Sequence, residues 1–418
     1  MLTVSKTKSS IWKILLVFVF MRPFLSEHAF LTIGFWYISS LILLSIIYLA
    51  LTNNIFLFSP PMNLSVFLFV IAIAVSIIFS GFTNWSPLEL YFFIPNLLIF
   101  YIVSKIKPEH KKELLSTIFL AAIIISTYAI YQYFIGFRHL SEYIKRTCSN
   151  MPVPEFLEGK RVFATFVSPN IFADYIVMML FLGIGFLISV YQKRIIYGVA
   201  VSVIGISLLL TKSLGGILTF IMIFILFIFC IIYYLLPNLG FRKATLTKAG
   251  LTIALVLFAF IVTSVIFVRQ RLPQFFNLSN PNNSIIQRLY YWKASFNMVK
   301  DSPLTGIGWR RFGLLYECYK PSLANISHYS HNVFLQIMAE TGLLGLLTFL
   351  WIVFIFLKKG ISAIKIYDEQ QGLKIGLFCA GCAFLFHNLI DLNFYFAQVS
   401  FFWWIILGLF AGSSIQND

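Results

Sequence analysis

Charge is scarce in this chain. Asp, Glu, Lys and Arg make up 11% of its 418 residues, and only 15 positions are acidic. That balance excludes an ordinary soluble globule, whose surface needs far more charge. There is no Walker A loop, no H-E-x-x-H and no Asp-x-Asp-type metal cluster. A metal-independent chemistry without cofactors is therefore the simplest expectation. No basic soluble domain exists to present to nucleic acid. Cysteine is sparse as well, with five in the chain. Cys379 and Cys382 read as C-x-x-C but sit in an apolar run, where they serve as small packing residues. Cys148 and Cys318 fall in two long polar segments, where a free thiol and a disulfide both stay open.

Apolar residues are what the chain has in abundance. They make up 60% of the sequence, and the mean hydropathy is +0.89. Runs near the length of a bilayer crossing recur from end to end, which predicts an all-α polytopic membrane protein with about twelve spans. They fall near 11–22, 30–52, 64–82, 88–104, 114–136, 168–190, 195–211, 214–236, 249–268, 331–357, 373–391 and 397–413. The first run is short and lacks a small-residue cleavage site, so it is expected to remain as a span. The chain divides into N-terminal helices (1–136), a first long loop (137–167), central helices (168–268), a second long loop (269–330) before the tenth span, and C-terminal helices (331–418). No internal repeat of the transporter kind stands out.

The net charge is +16, and part of it reports topology. Five basic clusters recur on one alternating set of connections: Lys6 to Lys13, Lys105 to Lys112, Lys193 with Arg194, Arg242 to Lys248, and Lys358 to Lys374. They hold more than half of the 31 Lys and Arg. The positive-inside rule makes that set cytoplasmic, with both termini inside, and puts the two long loops outside. Those loops carry most of the remaining cations. The outer face should therefore be electropositive and should meet an anionic partner, such as lipid-linked phosphate or anionic membrane lipid.

Several side chains could do chemistry there. His331 stands at the tip of the tenth span, followed by Asn332, Gln336 and Glu340 on one helical stripe that must face the bundle interior or a wet cavity. A neutral His at such a mouth can take a proton from a hydroxyl, although an interfacial, helix-capping role fits the spacing equally. Arg288 lies in a short amphipathic helix with Ile285, Leu289, Trp292 and Phe296 on its apolar edge. Arg310 and Arg311 follow Gly306-Ile307-Gly308. Arg161 precedes Ser168-Pro169-Asn170, a helix start with Ser168 as cap. Lys212 lies in the tight turn Lys212-Ser213-Leu214-Gly215-Gly216. Each cation could bind phosphate; the alternative, a solvated or head-group contact, weighs equally for Arg288 and is the stronger reading for Arg310, Arg311 and Lys212. His387 and Asp391, four residues apart, read as a pair that pins helices together.

Ser330-His331-Asn332, then nine residues, Gly342 and Gly345 resemble the signature of the O-antigen ligase/O-antigen polymerase superfamily of membrane glycosyltransferases. Arg288…Trp292…Asp301-Ser302-Pro303-Leu304-Thr305-Gly306-Ile307-Gly308, Phe166 to Asn170, Ser213-Leu214-Gly215 and His387 to Asp391 support it in the same order. The resemblance implies a GT-C-like fold and an undecaprenyl-diphosphate-linked glycan donor. It also implies metal-independent inverting transfer on the outer side of the cytoplasmic (inner) membrane. His331 would be the base and Arg288 a diphosphate clamp, with Arg161, Lys212, Arg310 and Arg311 as further phosphate ligands. Many members carry Arg after the Ser of the short turn. Leu214 stands there in this chain, so Lys212 or Arg161 is expected to replace it. Three acceptor classes stay open: lipid A–core or a similar glycolipid (a ligase), a growing glycan (a polymerase), or a protein hydroxyl (an oligosaccharyltransferase). A lipid-linked glycan flippase is the competing non-enzyme.

Overall fold

The computed structural model describes residues 2–26, 31–52, 61–80, 88–147, 155–239, 259–269 and 271–412. Cys148 and the basic segment Arg242 to Lys248 lie outside the described residues. The described chain is all-helical. In order, the principal helices are α1 Leu2–Met21, α2 Leu31–Leu51, α3 Met62–Phe79, α4 Ile94–Val103, α5 Pro108–Tyr131, α6 Pro169–Ser189, α7 Arg194–Thr211 and α8 Leu214–Cys230. There follow α9 Ala259–Val268, α10 Ser284–Asp301, α11 Phe312–Tyr319, α12 Val333–Lys365, α13 Gln371–His387 and α14 Ala397–Ala411.

Among the described residues, seven helices are long and apolar enough to cross a membrane, counting the extensions of α5 and α8. These are α2, α3, α5, α6, α7, α8 and α12. The other five expected spans overlap α1, whose first half is polar, and the shorter apolar helices α4, α9, α13 and α14; residues 249–258 of the ninth expected span lie outside the described residues. The last two are 17 and 15 residues long, short of the roughly 20 a full crossing needs. Their brevity draws a polar connection into the protein: Asn388, Asp391 and Asn393 are all buried.

At the centre, α13 packs along α6. The two backbones approach closely because Gly185 faces Gly372 and Gly376, and a Cβ on Gly376 would stand 2.5 Å from the Phe181 carbonyl oxygen. The last helix is buried along nearly its whole length, with Trp403 and Trp404 in the core.

Local signals start the helices around the site. Ser168 caps α6, accepting from the Ile171 amide at 3.3 Å with Pro169 in the first turn. Ser213 caps α8 through the Gly216 amide, at 3.2 Å. Asn332 caps α12, accepting from the Phe334 and Leu335 amides at 3.0 and 3.1 Å.

The long helix α12 is broken once, at Gly342, with φ 64° and ψ −164°. The break frees main-chain groups, and the segment 303–308 takes them up. Ile307 N donates to Ala339 O and Gly308 N to Glu340 O, both at 2.9 Å. Leu343 N donates to Pro303 O at 2.9 Å and Leu344 N to Leu304 O at 3.3 Å. The motif Asp301 to Gly308 is thus a main-chain inlay in a kinked helix.

Candidate active site

A cavity of about 460 Å³ opens at the end of the bundle that carries the turn after α7, the start of α10 and the connection after α13. Leu214, Leu218, Leu272, Phe275, Phe276, Ile285, Leu289, Trp292 and Ile390 give it an apolar lining. Its polar groups are Asn170, Arg271, Ser284, Arg288, His387 and Asp391. A mainly apolar cavity with a few convergent polar groups is the usual form of a ligand site.

Asn283 starts α10, accepting from the Ile285 amide at 2.8 Å. That start aims Ile285, Arg288, Leu289 and Trp292 at the cavity, while Tyr291, Ala294 and Met298 pack into a small core with Phe312, Tyr316 and Ala339. Arg288 Nε and Trp292 Nε1 are buried without a hydrogen-bond partner among the described residues. A buried donor left so is poised for a ligand.

His331 has a positive φ of 53°, which turns its side chain off the axis of α12. Its Nδ1 lies 3.2 Å from Asp391 Oδ1, and its ring lies 5.6 Å from that of Tyr291. Asp391 lines the cavity, and its Oδ1 also accepts from the Leu392 amide at 2.9 Å. It belongs to the connection between α13 and α14, outside the helices. Burial alone would raise its pKa. The hydrogen bond from His331 and the nearby cationic groups, Arg288 among them, outweigh that and hold it well below the usual carboxylate range. An ionised Asp391 accepts, so the proton of a neutral His331 sits on Nδ1 and leaves Nε2 as the base.

The other expected residues are placed elsewhere. Arg161 donates to Thr211 O at 3.2 Å and to Asn170 Oδ1 at 2.9 Å. Lys212 has φ 49° and sends its ammonium to Gly159 O at 2.7 Å. Burial, then the nearby charges of Lys160 and Arg161, lower its pKa. Arg310 donates to Tyr395 O at 2.9 Å and lies over the Tyr395 ring, and Arg311 is buried beside Gly308. None of these four lines the cavity. Asn332 is the cap of α12 and also donates to Leu389 O at 3.0 Å.

Gln336 and Glu340 are buried and joined at 2.7 Å. Glu340 also accepts from the Arg310 amide at 2.9 Å, the Phe312 amide at 3.3 Å and the Tyr395 hydroxyl at 2.7 Å. It ties the inlay and the connection before α14 to the helix that carries His331. His387 and Asp391 do not pair with each other: His387 faces Asp174, and Asp391 faces His331.

Two features have no counterpart in the sequence reasoning. Arg271 lines the cavity and donates to Lys212 O at 2.8 Å; its neighbours Leu272, Phe275 and Phe276, an interfacial apolar cluster, were the one available signal. The partnership of His331 with Asp391 joins positions with no periodic relation.

A many-helix bundle whose mainly apolar cavity carries two arginines beside a carboxylate-backed histidine has the chemistry to hold an anionic amphiphile. Residues 199–350 match the family model of O-antigen ligase, which supports the resemblance to the O-antigen ligase superfamily. The match takes in Arg271, Arg288, His331, Glu340 and Gly342. Asp174, His387 and Asp391 lie beyond it. A comparison with curated proteins finds no match.

Proposed function

We propose that the protein is an inverting glycosyltransferase of the O-antigen ligase type. It moves a polysaccharide from an undecaprenyl-diphosphate carrier to an acceptor hydroxyl, on lipid A–core or a similar glycan, at the outer side of the cytoplasmic membrane. The observation that carries this reading is one cavity whose wall joins two guanidiniums, Arg271 and Arg288, to the carboxylate that holds His331.

The chemistry follows from that juxtaposition. The acceptor hydroxyl gives its proton to His331 Nε2 while Nδ1–H stays on Asp391. The acceptor oxygen attacks the anomeric carbon from the face opposite the diphosphate. The bond from that carbon to the phosphate oxygen breaks, and its electron pair leaves on the diphosphate. The configuration inverts. Arg271 and Arg288 stabilise the departing charge in a site partly shielded from water, where such contacts are strong. Holding donor and acceptor together supplies much of the remaining acceleration. The leucines, phenylalanines and tryptophan of the wall suit the first isoprene units of the carrier. The basic short connections at the opposite end support an outward-facing site.

The test supplies purified protein with a lipid-diphosphate-linked glycan and candidate acceptors. Wild type is expected to transfer, and folded His331→Ala and Arg288→Ala to lose transfer. The product's size ladder separates ligation from polymerisation. Transfer retained by both variants, or lipid moved between leaflets without transfer, would overturn the proposal.

A further inference from the structure

The cavity wall carries one histidine, His387, that the reaction as drawn does not use. His387 ends α13 and is 1% exposed. Its Nδ1 stands 3.5 Å from Asp174 Oδ1, within reach of an ion pair but long for an aligned hydrogen bond. Asp174 is fully buried on α6, and an ionisable residue inside a membrane helix is costly to keep there. Its Oδ2 accepts from Asn393 Nδ2 at 2.9 Å and from Asn388 Nδ2 at 3.4 Å. Two amides thus fix the aspartate, and its other oxygen has no hydrogen-bond partner among the described residues. The far side of the ring faces the head of α8, where a Cβ on Gly215 would stand 3.4 Å from His387 Nε2. His387 and Gly215 line the same cavity as Arg271 and Arg288.

We propose that His387, backed by Asp174, is a third donor to the anionic leaving group, giving an Nε2–H hydrogen bond to a diphosphate oxygen beside Arg271 and Arg288. This rests on the glycosyl-transfer reading above. An imidazolium has two N–H groups. Asp174 takes the one on Nδ1, and an anion entering the cavity takes the one on Nε2. Asp391 on the connection after α13 faces His387 with negative charge, and the carboxyl of Asp174 on α6 stands against its Nδ1. Arg288 on α10 faces it with positive charge, and Arg271 shares the cavity. Burial keeps the ring neutral; the arriving diphosphate adds negative charge beside it and tips His387 to its protonated form, so binding takes up a proton. As the bond to the anomeric carbon breaks, the electron pair settles on the phosphate oxygen, and the proton stays on His387 as a hydrogen-bond donor. Gly215 keeps that donor uncovered.

The test uses the full-length protein and inorganic pyrophosphate as probe. Affinity and proton uptake are measured by calorimetry in buffers of different ionisation heat, from mildly acidic to mildly alkaline pH. Relative to wild type, His387→Gln is expected to weaken binding by roughly tenfold, the worth of one charge-assisted hydrogen bond, and to lose the extra proton uptake. The probe's own ionisation cancels in that difference. Asp174→Asn should lose the uptake too. Gly215→Ala leaves the His387–Asp174 contact in place, puts a methyl beside Nε2 and should also weaken binding. Folded His387→Gln and Gly215→Ala with wild-type affinity and uptake, in a protein whose wild type transfers glycan, would overturn this assignment alone. A wild type that neither transfers nor binds pyrophosphate would overturn the transferase reading with it.

Discussion

Replacing Gly306 with alanine probes the joint that sets the His331 helix against the second long loop. Gly306 has φ +71°, and an added Cβ would stand 2.3 Å from the Glu340 carbonyl carbon and 2.4 Å from its oxygen. These are main-chain atoms of α12 and cannot rotate aside. Relief requires the inlay to lift, which breaks the Ile307 N–Ala339 O and Gly308 N–Glu340 O hydrogen bonds, both 2.9 Å. Two such bonds are worth about 1–3 kcal/mol, and a left-handed alanine adds about 1–2 kcal/mol. The expected loss is about 2–5 kcal/mol, a large part of the ~5–15 kcal/mol by which proteins are stable. Gly198, inside α7 with nothing within 4 Å of its Cβ position, is the control. Alanine there should be neutral or stabilise by up to ~1 kcal/mol. Thermal unfolding of the purified protein in detergent reads both. Gly306→Ala should unfold several degrees lower and Gly198→Ala no lower than wild type. A Gly306→Ala protein that unfolds with wild type refutes the inlay argument.

Asp391→Asn should cut turnover by roughly 100-fold or more, because the amide no longer fixes the His331 proton on Nδ1; steady-state rates check this. The folded pKa of Asp391 is depressed, so its stabilising effect is complete above the unfolded value of ~3.9 and fades as pH falls through the lower folded value. The gap in unfolding temperature between wild type and Asp391→Asn should therefore hold through neutral and mildly acidic pH and close only in strong acid. Glu340→Gln puts an amide among groups that all donate. Even if the Tyr395 hydroxyl turns to accept, one buried N–H is left unpaired, at a cost of about 1–3 kcal/mol in unfolding. Arg271→Ala should weaken donor binding by roughly tenfold. Lys212→Ala, whose parent ammonium bonds the Gly159 carbonyl, should leave the donor KM near wild type.

The features legible in the sequence are those written in neighbouring residues. Ser168-Pro169 starts α6, whereas the face of α10 that packs inward is Tyr291, Ala294, Ser295 and Met298, and Leu289 and Phe296 of the expected edge stay half exposed. The polar stripe of Gln336 and Glu340 is buried as hydropathy requires, but its partners are loop amides and a tyrosine hydroxyl whose positions no periodicity gives. Gly342 reads as a packing residue, while its left-handed φ is set by Leu304, whose carbonyl oxygen would lie 2.2 Å from a Cβ there. His387 and Asp391 look like neighbours on one helix. The helix stops at His387, and the chain then turns Asp391 towards His331. A missing Arg at Leu214 points the eye to nearby cations, Lys212 and Arg161. The structure instead brings Arg271 to the cavity, from the short Leu272–Phe276 helix that follows it.

The most direct measurement separates donor binding from turnover. A lipid-diphosphate-linked glycan is titrated against wild type, Arg288→Ala and His331→Ala, and binding and kcat are read independently. The account predicts that Arg288→Ala loses donor affinity, while His331→Ala binds donor as wild type does and does not transfer. A His331→Ala protein that turns over at the wild-type rate, or an Arg288→Ala protein with unchanged donor affinity and rate, would contradict it.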